Sequence, residues 1–238
     1  MAPPRTAENT SRTHGQEVAC MFGRISRWYD LLNHVLSLGL DVHWRRRLAQ
    51  SASVHNTKTL LDLAAGTMDV SVALLRRCPG ARVVAADCSL QLLLQGRPKI
   101  QKRRIFPLGA DALSLPLPDA CLDCVTMAFG IRNVRPREAV FQECLRVLTP
   151  GGRLCILEFG SGRKKILGGV YNLYLSRILP RVGQLVSRDS KAYTYLADTI
   201  RDFPPAGELE GEIIQAGFSR AWHTELSAGI VCLHVAEV

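Results

Sequence analysis

The chain has 238 residues, of which 47% are hydrophobic, and carries a formal net charge of +9. That length fits one α/β domain, and the apolar content excludes global disorder. No apolar run approaches the ~20 residues that span a bilayer, and the N-terminus has no apolar stretch of the kind a signal peptide needs.

The first segment, MAPPRTAENTSRTHGQE, predicts a disordered arm over 1–16, leaving a single domain over 17–238. Within Val18 to Ser51, the positions Phe22, Ile25, Trp28, Tyr29, Leu32, Val35 and Leu36 recur at helical spacing, and Gly39 is placed to break the helix. Strand and helix signals then alternate: KTLLDLA, DVSVALLRRC, ARVVAAD, SLQLLLQG, RIFPLGAD, CLDCVTMAF, PREAVFQECLRVL and GRLCILEF. The strand segments are almost continuously apolar, as a parallel sheet covered on both faces requires. The alternation therefore predicts an α/β doubly wound, Rossmann-like sheet. Pro107 marks RIFPLGAD as an edge or irregular strand, because proline cannot donate to a ladder. An apolar, aromatic stretch from Ile166 to Val186 interrupts the alternation and reads as an inserted helical cover over about 163–205. YTYLADTIRDF and ELEGEIIQAG read as helices, and FSRAWHTEL with GIVCLHVAEV as a final antiparallel hairpin.

Eight cysteines in such a fold read as reduced, mostly buried thiols. Cys121 and Cys124 form a CxxC pair inside an apolar strand. A zinc site would need a second ligand pair, and none stands at suitable spacing; a redox pair would open a helix. No metal is expected.

Three strand ends carry chemistry. Asp62-Leu63-Ala64-Ala65-Gly66-Thr67-Met68-Asp69 is a strand, a small-residue loop and a helix start, where backbone N–H groups can hold a carboxylate. Asp87 ends the second strand, placed to accept ribose hydroxyls. Asp111, followed by Ala112, ends the third and suits an adenine amino group. The three acids fit a ligand with ribose, adenine and positive charge, whereas a pyrophosphate would be repelled and the GxGxxG of a dinucleotide site is missing. A strand-end aspartate is also a common helix cap, so the ordered set counts for more than any one member.

Along nearly its whole length after the arm, the chain resembles the ubiquinone/menaquinone biosynthesis C-methyltransferase family. The resemblance rests on MFGRISRWYDLLNHVLSLGLDVHWRR, LLDLAAGTMDVS, AFGIRNV, RVLTPGGRLCILEF, YNLYLSRILPRVGQLVS, AYTYLADTIRDFP and GIVCLHVAEV. It implies a class I methyltransferase sheet and S-adenosyl-L-methionine as cofactor, with contacts at Thr67, Asp87, Asp111 and Ala112 beside the loop residues Asp62 and Gly66. It implies a polyprenylated quinol as the acceptor and ring-carbon methylation as the reaction, with demethylmenaquinol first and a methoxy-polyprenyl-benzoquinol second. Peripheral contact with the inner face of the membrane from the cytoplasm, and a homodimer, are compatible with it. The chain departs from the family pattern at Met68, where glycine is usual, and at Ala128, where many members have serine. Met68 argues against a positive φ in the loop and suggests a narrower site.

Ionising a ring hydroxyl makes its neighbouring carbon nucleophilic, and since a phenol titrates near ~10 the site needs a base or a stabilising cation. Arg132, after the fourth strand, is the candidate cation; its alternative is a salt bridge to a structural carboxylate. Tyr29, Asp30 and Asn33 share a helix face, and Tyr193, Tyr195, Arg201 and Asp202 are polar candidates near the cover. Tyr29, Asn33 and Tyr195 complete the catalytic set. His34 and His43 read more simply as surface or packing residues. Two competing readings remain. One is an RNA or protein methyltransferase, which the charge favours, although the Asn/Asp-Pro-Pro-aromatic loop of base N-methyltransferases is replaced by AFGIRN and no nucleic-acid module is present. The other is a non-catalytic scaffold.

Overall fold

The computed structural model describes residues 37–53, 57–101, 103–160 and 190–238 together with Gly23, Asp30 and His34; for 190–194 and 197 only the backbone is described. The expected arm and most of the expected cover lie outside the described residues. Gly39 takes φ +78 and stands at the start of α1 (Leu40–Ala52), so the break expected there is present.

Strands and helices then alternate as β1 (Thr59–Leu63), α2 (Asp69–Arg77), β2 (Arg82–Asp87), α3 (Leu90–Gly96), β3 (Ile105–Gly109), β4 (Leu122–Ala128), α4 (Arg137–Val147) and β5 (Leu148–Phe159). Helices α5 (Ser190–Arg201) and α6 (Ala206–Gln215) precede the hairpin β6 (Arg220–Leu226) and β7 (Val231–Glu237). The sheet order is β3-β2-β1-β4-β5-β7-β6. The pairs from β3 to β5 are parallel, while β5–β7 and β6–β7 are antiparallel. This is the doubly wound, Rossmann-like sheet with an antiparallel end. The order reverses between β1 and β4, so the loops leaving those strands diverge and open a crevice at their carboxyl ends.

Burial follows from the strand composition. Leu60, Leu61, Val83, Val125, Leu154 and Ile156 are buried in the sheet, and helices cover both faces. One apolar cluster gathers Trp44, Leu48, Leu74, Val83 and Leu157 beneath α1 and α2. The other gathers Leu61, Val125, Phe141, Leu209 and Phe218 beneath α4 and α6. β3 is an edge strand, as Pro107 allowed. Cys124 is fully buried in β4, its thiol donating to the Val125 carbonyl at 3.7 Å, and the neighbouring Cys155 thiol together with burial raises its pKa well above the ordinary range. Three residues apart is an odd spacing for a strand, so the pair splits: Cys124 belongs to the cluster beneath α1 and α2, while Cys121, just before β4, packs against the other.

Candidate active site

Parallel pairing puts the three acidic strand ends side by side. Leu63 pairs with Ala86, and Asp87 with Gly109. Asp87 is buried and accepts the N–H of Gly66 at 2.8 Å and of Ser89 at 2.7 Å. Burial raises its pKa, against the lowering effect of those two bonds. Asp111 is exposed and accepts the Leu113 N–H at 3.0 Å, with Ala112 half-buried beside it. Cys88 lies between the two acids: burial and the charges of Asp87 and Asp111 push its thiol up to about 11. The crevice therefore carries a negative field. Ribose hydroxyls, an adenine amino group and a sulfonium all suit that field, and a pyrophosphate does not.

The loop after β1 departs from expectation twice. Met68 takes φ +65 and ψ +25, the left-handed conformation that its side chain argued against. The strain is held in place by packing, because Met68 is fully buried and its terminal methyl lies against Gly96. Its side chain points into the core, so it does not narrow the crevice. Asp62, expected at the cofactor, is 1% exposed and accepts the Ser71 hydroxyl beneath the loop. Burial lifts its pKa to about 7. It supports the loop from below, because β1 carries it under α2 before the loop turns out.

Thr67 is buried, and its hydroxyl is already engaged: it donates to Asp30 and accepts from Lys99 Nζ at 2.9 Å. Lys99 also pairs with Asp30 and, at 2.7 Å, with Asp69. With its O–H committed, Thr67 can offer the crevice its backbone and one remaining hydroxyl lone pair. Lys99 and Asp69 were missed by sequence reasoning, since the lysine reaches the loop from the 3-10 turn Arg97–Ile100 with no local signal.

Arg132 is not a free cation. Its guanidinium is 4% exposed and ion-pairs with Glu158 at 2.7 Å, while the same nitrogen donates to the Phe129 carbonyl at 2.6 Å. Glu158 is fully buried and also accepts the Phe159 N–H at 2.9 Å. The structural alternative weighed for Arg132 is the geometry present, and its assignment as a phenolate-binding cation is corrected on that ground. Glu158 was also missed, although a lone carboxylate in the apolar run GRLCILEF was its signal. Tyr195, half-buried on α5, lies within the field of Arg132 and Arg135; burial nonetheless raises its pKa. Tyr29 and Asn33 lie outside the described residues, as does the side chain of Tyr193. Arg201 pairs with Asp198 on the surface, and His34 hydrogen-bonds Asp41 at 2.9 Å.

An aromatic wall stands at the ends of β4 and β5. Phe129 and Phe159 lie with ring centroids 4.7 Å apart, and Trp44 packs edge-on to Phe159 at 6.4 Å. Trp44 is anchored by its indole N–H on Ser227 at 2.8 Å. Phe129 and Phe159 are half-buried, packed against the cluster beneath α1 and α2.

Sheet order, strand-end acids and loop together define a Rossmann-like, S-adenosyl-L-methionine-dependent methyltransferase. Solved structures carry the same fold at low identity. A SAM-dependent methyltransferase from Aquifex aeolicus superposes with a TM-score of 0.56 at 17% identity, covering 81% of this chain and 88% of that one. One from Thermotoga maritima reaches a TM-score of 0.61 at 18% identity, covering 92% and 99%. The chain belongs to the ubiE/COQ5 methyltransferase family, which it matches over residues 10–237. It is 43% identical to the demethylmenaquinone methyltransferase of Thermus thermophilus, over 91% of this chain and 99% of the relative. It is 41% identical to the ubiquinone/menaquinone biosynthesis C-methyltransferase UbiE of Syntrophotalea carbinolica, over 92% and 93%.

Proposed function

We propose that the protein methylates a ring carbon of a polyprenylated quinol, with demethylmenaquinol as the acceptor. The observation that carries this is the 43% identity, across nearly the whole of both chains, to a demethylmenaquinone methyltransferase. A second acceptor, a methoxy-polyprenyl-benzoquinol, is favoured by the comparable match to a relative named for both quinones.

Asp87 holds the ribose and Asp111 with Ala112 the adenine amino group, while the backbone of Thr67 faces the carboxylate of the methionine part and Gly66, its N–H given to Asp87, shapes the turn. Asp62 acts from beneath, through Ser71. The cofactor supplies an electrophilic methyl on a sulfonium. Phe129 and Phe159 offer a flat apolar wall for the acceptor ring. Tyr195 stays protonated at neutral pH because burial raises its pKa, so it donates a hydrogen bond to the ring oxygen and does not act as the base. Arg132 is a positioning residue that fixes the Phe129 carbonyl and so the angle of the wall. Tyr29 and Asn33, which lie outside the described residues, are proposed to complete the pocket. Much of the rate comes from aligning the two substrates. Since the tail of the acceptor keeps it in the bilayer, the enzyme works at the membrane surface from the cytoplasmic side; among the described residues no helix is long and apolar enough to cross it.

The test is transfer of labelled methyl to each quinol, kept reduced, with the product mapped by NMR. Label on a ring carbon is the expected result. Label only on oxygen, or on neither quinol while the donor still binds, overturns the assignment.

A further inference from the structure

Outside the cofactor crevice, α1 and α2 lie side by side and their facing stripes form a groove with a volume of about 600 Å³. Its lining keeps helical spacing on both sides: Val42, Arg45, Arg46, Ala49 and Gln50 from α1, then Asp69, Val72, Ala73, Arg76 and Arg77 from α2. The small residues make the floor and the arginines the walls, and Lys99 and Arg103 close one end. Among the described residues six cations thus line the groove with one carboxylate. That carboxylate, Asp69, is already held by Arg45 and Lys99, and Arg45 is further paired with Asp41 at 2.6 Å. Arg46, Arg76, Arg77 and Arg103 are exposed, and no ion pair among the described residues neutralises them.

An open, concave groove that concentrates unpaired cations has no structural use as such, since mutual repulsion destabilises it. It is suited to an anion with several acceptor oxygens, and arginine forks match phosphate in particular. We propose that this groove docks the phosphate headgroup of anionic phospholipid and so seats the enzyme on the membrane. Two features select lipid over nucleic acid. Leu38 is 88% exposed and Leu40 39% exposed at the start of α1, so apolar side chains stand at the head of the same helix that carries the cations. Choosing lipid also rests on the quinol reading above, because the tail of that acceptor resides in a bilayer. The basic groove needs no such support.

Each arginine near an anionic surface contributes ~1 kcal/mol, so removing three should cost about a hundredfold in vesicle affinity. The experiment is co-sedimentation with vesicles of phosphatidylcholine plus phosphatidylglycerol against phosphatidylcholine alone, at physiological salt. The variant is R46E/R76E/R77E, and the control of equal charge is R82E/R201E/R220E. The wild type should bind only the anionic vesicles. The groove variant, which reverses the three charges, should lose more than a hundredfold and the control far less, both with an unchanged melting temperature. If the groove variant unfolds, R46Q/R76Q/R77Q replaces it, with the loss of about a hundredfold that removing three charges implies. Equal losses in variant and control overturn the proposal, as does equal wild-type binding to neutral vesicles. So does a variant that loses single-stranded RNA binding while keeping the vesicles, which would assign the groove to nucleic acid. Turnover of a short-tailed, water-soluble quinol should be unchanged in the groove variant. A wild type that binds anionic vesicles but methylates no quinol would remove the substrate assignment and leave the docking face standing.

Discussion

Ala64 after β1 and Phe129 after β4 both take φ +56, and the two loops they begin touch each other. A Cβ on Gly130 would lie 2.7 Å from that of Ala64, so glycine is what lets the β4 loop close on its neighbour. The means of support differ. The β1 loop is held by hydrogen bonds, the Gly66 N–H to Asp87, the Met68 N–H to the Ala65 carbonyl and the Thr67 hydroxyl to Asp30, and by a buried Met68. The β4 loop is locked from inside by the Arg132–Glu158 ion pair. A loop that must receive a ligand keeps its polar groups near the surface, whereas a loop that must hold a wall in place can bury a charge pair provided every partner is present.

The sharpest way to break the comparison is Glu158→Ala. It strands a buried guanidinium and should destabilise the protein by ~3–5 kcal/mol, read by denaturant unfolding. Arg132→Lys, milder, should keep donor affinity and lose turnover, because the shorter lysine lacks the planar fork and cannot bring its ammonium to where Arg132 Nη1 meets both Glu158 and the Phe129 carbonyl. Full turnover would return the β4 loop to a passive role. Asp87→Asn leaves one loop or cap N–H without its acceptor and weakens the ribose contact. A loss of ~10–100-fold in S-adenosylmethionine affinity is expected by calorimetric titration. Met68→Gly relieves the left-handed strain yet opens a cavity, and the net loss should be ~1–3 kcal/mol in a thermal melt. A gain in stability would show that strain outweighs packing.

The smallest effect expected is on the pH profile of stability. Asp62 titrates near about 7 in the fold, above its unfolded value, so its contribution is complete at low pH and is lost as pH rises toward about 7. His234, buried in β7, is pushed down to about 4 by burial first and by His223 second. Its contribution is complete above the unfolded value near ~6.5 and is lost as pH falls toward about 4. Asp62→Asn should flatten the first slope and His234→Gln the second, in unfolding measured from acid to neutral pH.

The sequence by itself determined the sheet, because apolar strand runs, alternating helices and Pro107 at an edge are local patterns that the chain cannot satisfy in many other ways. It also determined the order of Asp62, Asp87 and Asp111 at successive strand ends. Only the tertiary structure decided which of them faces the crevice. Asp62 passes under α2 while Asp87 and Asp111 do not, and depth beneath a helix has no signature in spacing. Nor could local pattern show that Met68 accepts a left-handed backbone, since the packing that holds it comes from Gly96 on the next helix. The pairing of Arg132 with Glu158 was decided the same way: 26 residues separate them in the chain, and neighbouring strands bring them within a hydrogen bond.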